Sequence, residues 1–271
     1  MPFTAIRHIR KMRGGAQAHL VAADDRNWYV VKFANNPQHR RVLVNELIAA
    51  TLLDYLKISI PEMALIRVTP EFLSENPEVC LTLGTRRIEV PPGWHFGSRY
   101  PGDPARVAVY DFLPDTLLGQ VANLEDFRAI LVFDKWVGNA DGRQAVFHRA
   151  RVGDSDGGRT AFVARMIDHG YAFNGPNWDF PESPLQGLYA RKLVYEAVSG
   201  IDDFQPWLDL VANFPEEVLD RAWKSLPPEW IDGDEGALES LLERLFLRRR
   251  RVAELISACR SARSGPFVNW T

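Results

Sequence analysis

Apolar residues follow two different spacings along the chain, and the change of spacing divides it. In the first third the spacing is strand-like. Segments 4–12 (TAIRHIRKM) and 17–24 (QAHLVAAD) flank Gly14-Gly15, and 26–34 (RNWYVVKFA) is rich in Val, Tyr and Trp. Runs of this kind, bounded by glycine and polar residues, predict β-strands. One helix interrupts them: in VLVNELIAATLLDYLK the apolar positions 44, 47, 48, 52 and 56 share a helical face. A further strand is expected over 58–69. Residues 74–104 read as loop-rich with a weak strand at 77–83. Within them, PPGWHFGSRYPGDP holds too many Gly and Pro residues for a regular element. The short apolar strand RVAVYDFLP ends this part at Pro114.

Beyond Pro114 the pattern becomes helical. NLEDFRAILVFDKWVG reads as an amphipathic helix, NADGRQ as a tight polar turn, and AVFHRARV and RTAFVARMID as two strands around GDSDGG, the strongest hairpin signal in the chain. FNGPNWDFPESP is an irregular loop. Helices are expected in 188–199, 204–214 and 216–226, and a single long one in 237–260, preceded by the break PPEW and the acidic IDGDEG. The layout is α+β: a small β-rich lobe with one helix, residues 1–114, and a larger, mostly helical lobe, residues 115–271.

Composition narrows the function classes. The hydrophobic fraction of 46% and charged fraction of 25% are those of a globular protein. The net charge of −3 gives no basic field for nucleic acid. Cys80 and Cys259 form no disulfide framework and suit a reducing cytoplasm. No signal peptide and no apolar run long enough to span a bilayer is visible. The run Arg248–Arg251 is expected to be a solvated, partly salt-bridged helix face.

Four features carry candidate chemistry, and each has a plain reading beside it. Gly14-Gly15, with Ala16, joins two strands. Such a loop lets backbone amides approach phosphates, although a hairpin turn also uses glycine. Lys32 sits inside a strand, where it either points to solvent or reaches nucleotide phosphates from the sheet. Glu46 follows on the helix among apolar neighbours. It is either a first-turn Glu favoured by the helix dipole or an inward carboxylate that needs a cation, and Lys32 is a suitable one. Asp141 lies in the polar turn, and Asp168 ends a strand two residues before Gly170. Singly these are turn residues; the ordered set is much harder to obtain by chance.

With VVKFA, VNELIAATLL, HFGSRYP, GNADGRQAVF and MIDHGYAF in this order, the chain resembles the HipA-like protein kinases, a divergent bacterial branch of the protein-kinase-like fold. The likeness spans most of residues 10–260. It implies ATP held between two lobes and Mg²⁺-dependent phosphoryl transfer to a protein Ser or Thr. It implies that Lys32 holds the α- and β-phosphates, Glu46 orients Lys32, Asp141 is the base and Asp168 binds Mg²⁺. Gly14, Gly15 and Ala16 would cover the phosphates, and Tyr110-Asp111-Phe112 would form the hinge that meets adenine. The extra N-terminal subdomain of full-length HipA toxins is not expected, because the chain starts almost at the glycine loop.

One position departs from the kinase pattern. Five residues after the base, where kinases carry a metal-binding Asn, stands Val146. Gln144 is the nearest amide downstream, and its carbonyl oxygen is a hard ligand. A second register pairs Asp134 with Asn139, but Asp134 lies inside a helical pattern. Two other functions therefore stay open: a pseudokinase acting as a nucleotide- or protein-binding regulatory module, and a small-molecule kinase.

Overall fold

The computed structural model describes residues 2–153, 158–261 and 265–270. Strands β1 (Pro2–Lys11), β2 (His19–Ala23) and β3 (Trp28–Lys32) form a meander, followed by helix α1 (Arg41–Tyr55) and strand β4 (Met63–Val68). Helix α2 (Pro70–Glu75) and the hairpin β5 (Cys80–Leu83)/β6 (Arg86–Glu89) come next, and then β7 (Gly93–Arg99). Five of these strands close into a barrel in the order β1-β2-β3-β7-β4, with β1 pairing parallel to β4 to complete it. Val21, Tyr29, Val31, Phe33, Ala64 and Ile66 fill one core cluster of this part.

The C-terminal part begins with β8 (Val109–Tyr110), α3 (Asp115–Leu118) and α4 (Asp126–Val137). Strands β9 (Gln144–Val152) and β10 (Arg159–Ile167) follow, forming a three-stranded sheet with β8 at the edge. Short helices α5 (Trp207–Ala212), α6 (Glu216–Lys224) and α7 (Pro228–Ile231) lead to α8 (Glu235–Arg248) and α9 (Val252–Arg260). Helix α4 is the axis of this part. Phe127, Phe133 and Trp136 on it are fully buried, each contributing roughly 1.5–3 kcal/mol of hydrophobic stabilisation. Helix α1 belongs to the same core cluster as α4, not to the barrel interior. It is wedged between the two parts, which is why it is buried almost from Val42 to Leu53. Among the described residues no helix is long and apolar enough to cross a membrane.

The structure corrects four expectations from the sequence. Residues 93–99 are not irregular: β7 is a central strand between β3 and β4. Its Gly97 is required by packing, since a Cβ there would stand 2.5 Å from Ile66 Cγ1. Residues 188–199 form only a 3₁₀ turn at Lys192–Tyr195. The stretch 237–260 is two helices broken by a 3₁₀ turn at Arg249–Arg251. Arg248 is not a solvated residue. It is buried, and its guanidinium donates to the carbonyls of Lys135 and Trp136 at the end of α4, the orphan acceptors of a helix C-terminus. The expected GDSDGG turn falls mostly on 154–157, outside the described residues, although β9 and β10 pair in register on either side of it.

Candidate functional site

A cleft of about 470 Å³ separates the barrel from the β8–β9–β10 sheet. Its roof is Gly14, Gly15, Ala16, Ala18 and Val30, and its floor is Val146 and Ile167. Gly14 has φ of +116°, a conformation that a side chain would strain. The loop closes on itself by the Met12 N–H donating to the Ala18 carbonyl at 2.8 Å.

Lys32 lies at the inner end. It ends β3 and reaches two carboxylates, ion-pairing with Glu46 on α1 and donating to Asp168 Oδ1 at 2.9 Å. Glu46 also accepts the His169 backbone N–H at 3.1 Å. Burial opposes charge on Lys32, but Glu46 and then Asp168 outweigh it, and the ammonium titrates above its ordinary range. Partial burial by itself would raise Asp168; Lys32 and Arg143 reverse that and hold its carboxyl below the usual range. Asp168 therefore stays ionised, with φ of +61° at the turn that presents it. Two residues on, Gly170 lets α1 approach: a Cβ there would meet Val42 Cγ1 at 2.4 Å and Glu46 Oε1 at 3.5 Å.

The polar turn after α4 holds a second constellation. Helix α4 ends at Gly138, in the left-handed conformation with φ of 60°. Asp134, in the last turns, is fully buried and receives both arms of Arg143, with the Nε–Oδ2 contact at 2.8 Å, and the Asn139 amide at 3.0 Å. Arg143 also donates to the Ile167 carbonyl at 2.8 Å and to His169 Nδ1 at 3.2 Å. Burial, then Arg143 and Lys32, depress the His169 pKa well below its ordinary value, so the ring is neutral and accepts. This buried pair fastens the turn to the strand end that carries Asp168. Asp141, by contrast, is exposed at the tip. Gln144 Nε2 lies 3.3 Å from Asp141 Oδ2, and its side chain is near enough to Asp168 to help lower that carboxyl's pKa. Gln144 thus stands between the two carboxylates.

A family model for the HipA-like kinases matches residues 6–254. The chain belongs to the HipA-like kinase family. No curated protein matches it in sequence. Among solved structures it is similar to the Golgi casein kinase at a TM-score of 0.52 and 14% identity, covering 96% of this chain and 73% of that one. It is likewise similar to the Golgi casein kinase with Mn/ADP bound, at 0.50 and 13%, covering 96% and 74%. The Helicobacter pylori proinflammatory kinase CtkA matches at 0.46 and 16%, covering 96% and 99%. At these identities the first two comparisons establish a protein-kinase-like fold.

In this HipA-like chain, Gly14, Gly15, Ala16, Lys32, Glu46, Gln144 and Asp168 all line the one cleft. Asp141 does not line it and reaches it only through the lining Gln144, 3.3 Å away. Tyr110 and Phe112, expected at the hinge, do not line it. They are 43% and 60% exposed, with Tyr110 edge-on to Phe162 and Phe112 under the Arg191 guanidinium. The lining segment is instead Ser98–Arg99–Tyr100–Pro101–Gly102, the end of β7 and its exit. The Gly and Pro residues of 91–104 mask β7 in the sequence, so the expected hinge falls on the next apolar strand. Val109 does line the cleft, but β8 pairs with β9, so it sits with the C-terminal sheet.

The donor set suits a hard cation. Among the described residues no three His, Cys, Asp or Glu gather as a self-contained cage. Mg²⁺ is usually held by one or two carboxylates together with substrate phosphates and water, and Asp168 and Gln144 supply oxygens of that kind. The local charge agrees: at the inner end the single cation Lys32 faces two carboxylates, Glu46 and Asp168. Sequence reasoning missed Arg143 as the partner of Asp134, and Asn45 beside Glu46. An amide next to the inward Glu on an otherwise apolar helix face was the available signal.

Proposed function

We propose that the chain is an ATP- and Mg²⁺-dependent phosphotransferase acting on a protein Ser or Thr. The observation that carries this reading is Lys32 bound at once to Glu46 and Asp168 beneath a glycine loop. That arrangement supports a reading in which Lys32 would meet the nucleotide phosphates and the ionised Asp168 would hold a metal beside them. Adenine would sit between Ala18 and Val30 above and Val146 and Ile167 below, its edge toward the backbone of Ser98–Gly102. Lys32 would hold the α- and β-phosphates, positioned by Glu46, and the amides of Gly14–Ala16 would cover them. Asp168 and the Gln144 carbonyl oxygen, after rotation of its amide, would hold Mg²⁺, which supplies charge neutralisation on the phosphates. A fold neighbour whose structure holds Mn and ADP supports the use of a nucleotide with a divalent metal.

In the transfer itself, the acceptor hydroxyl oxygen bonds to the γ-phosphorus as the bond to the ADP oxygen breaks. The hydroxyl proton passes to Asp141. An exposed carboxylate beside the cleft-lining Gln144 suits this role, and the buried, doubly bonded Asp134 does not. We place the lobe boundary in the 100–114 connection, and the two free cysteines fit a reducing compartment.

Val146 favours one second reading, a pseudokinase that binds nucleotide without turning it over. ATP titration by calorimetry, with and without Mg²⁺, tests the site. Metal should tighten binding in the wild type, and Asp168→Ala should remove that gain. Equal affinity with and without metal in the wild type would contradict the assigned role of Asp168.

A further inference from the structure

Helix α1 holds two adjacent buried polar residues, and only Glu46 is used by the cleft. Its neighbour Asn45 is fully buried. The Asn45 amide nitrogen lies 2.8, 3.0 and 2.9 Å from the carbonyls of Gly170, Ala172 and Gly175, and its oxygen accepts the Trp178 indole N–H at 2.8 Å. One turn earlier, the Arg41 guanidinium stacks over the Trp178 ring at 4.1 Å and donates to the Pro176 carbonyl at 2.8 Å. Arg244 donates to the Trp178 carbonyl at 2.6 Å.

The segment bound in this way follows directly on Asp168, and its backbone needs holding. Phe173, Asn174 and Trp178 have φ of +58°, +56° and +54°, each a strained conformation for a residue with a side chain. The segment also reaches the polar turn: the Ala140 N–H donates to the Tyr171 carbonyl at 3.0 Å and the Asn174 N–H to the Gly138 carbonyl at 3.2 Å. Between Asp168 and Glu182 the sequence has no Ser or Thr, so no aliphatic hydroxyl is available there for a phosphate to order the segment, and Tyr171 is its one phenol.

We propose that Asn45 and Trp178 form a built-in clamp that fixes the segment after Asp168 onto α1. Asn45 is a positioning residue: by holding 170–178 it sets where Asp168 stands relative to Lys32, without phosphorylation of the segment. This rests on the metal role assigned to Asp168 above. A helix that grips the strand end through Glu46 and the following segment through Asn45 moves only with both.

Trp178→Phe tests the clamp, since it keeps an aromatic ring in the site and removes only the indole donor. The first readout is hydrogen exchange of the Ala172, Asn174 and Gly175 amides in the full chain without nucleotide. They should be protected in the wild type and exchange on the order of 10- to 100-fold faster in the variant, the range expected when a buried acceptor loses its partner. The β9–β10 amides should be unchanged. The second readout is the ratio of ATP Kd without Mg²⁺ to that with it. The ratio should fall about 10-fold in the variant, a typical effect of losing a group that orients a metal ligand, while metal-free affinity stays constant. Fast exchange in the wild type, or none of the local acceleration in Trp178→Phe, would overturn the clamp. Local acceleration with an unchanged metal ratio would overturn its link to Asp168. A wild type with no metal-dependent binding would overturn the link together with the proposed function, and the exchange readout would still decide the clamp.

Discussion

Asp134 and Asp141 are chemically identical and flank one short turn, yet their surroundings give them opposite consequences. Asp134 is sealed in with Arg143, so Asp134→Ala strands a buried guanidinium and should destabilise the fold by about 3–5 kcal/mol, read as a lower urea midpoint. Asp141 is exposed and its removal disturbs little packing. Asp141→Asn should keep the urea midpoint and the nucleotide affinity and lower turnover by roughly 10²–10⁴-fold, the size of a general-base contribution. Full turnover in Asp141→Asn would move the base elsewhere. The sequence made Lys32, Glu46, Gln144 and Asp168 legible because order and apolar context survive without coordinates. It did not reveal that Arg143 crosses back to Asp134, because a pair formed between a helix interior and a turn leaves no periodic mark.

At the scale of elements, two contacts govern how α1 and β7 sit against the cleft. Gly170→Ala would push a methyl into Val42, an overpacking that costs about 1–3 kcal/mol, and the adjacent Glu46 would move with α1. Lower stability together with weaker ATP binding is the expected pair of results; lower stability alone would show that α1 yields without disturbing Lys32. On β7, His95 is buried, accepts the Ala34 N–H on Nδ1 at 2.9 Å and faces the Pro91 carbonyl with Nε2 at 3.0 Å. Nε2 must then carry the proton and donate. Burial, which penalises the charged ring, lowers the His95 pKa to about 4. Between an unfolded value near 6.5 and the folded value, only the unfolded chain binds the proton, so stability is full above that range and falls as pH drops through it. His95 contributes a slope approaching about 1.4 kcal/mol per pH unit in this window. Urea midpoints at pH 7.5 and 5.0 measure it, and His95→Gln should flatten the slope; an identical slope in the variant would remove His95 as its cause. The helical spacing of α1 and the strand character of β3 were readable in the sequence. β7 was not, since its Gly97 serves close packing against Ile66 rather than a turn, and composition does not separate these uses.

At the scale of the molecule, α1 joins the two parts: it shares the core of α4 while its Glu46 holds the lysine of the barrel. The α+β division and the kinase-like order of parts were visible in the sequence, because the strand and helix periodicities change near the middle of the chain. The cleft-lining role of 98–102 was not legible, because β7 was not, and the 188–199 and 249–251 irregularities depend on tertiary contacts such as Arg248 on the end of α4. The account stands or falls on phosphoryl transfer. The most direct measurement is incubation of the purified chain and a protein acceptor mixture with γ-labelled ATP and Mg²⁺, following ADP release and label on Ser or Thr. The account predicts Mg²⁺-dependent ADP formation, with label on protein hydroxyls and loss of both in Asp141→Asn. Bound ATP that yields no ADP, or label found only on small molecules, would contradict it.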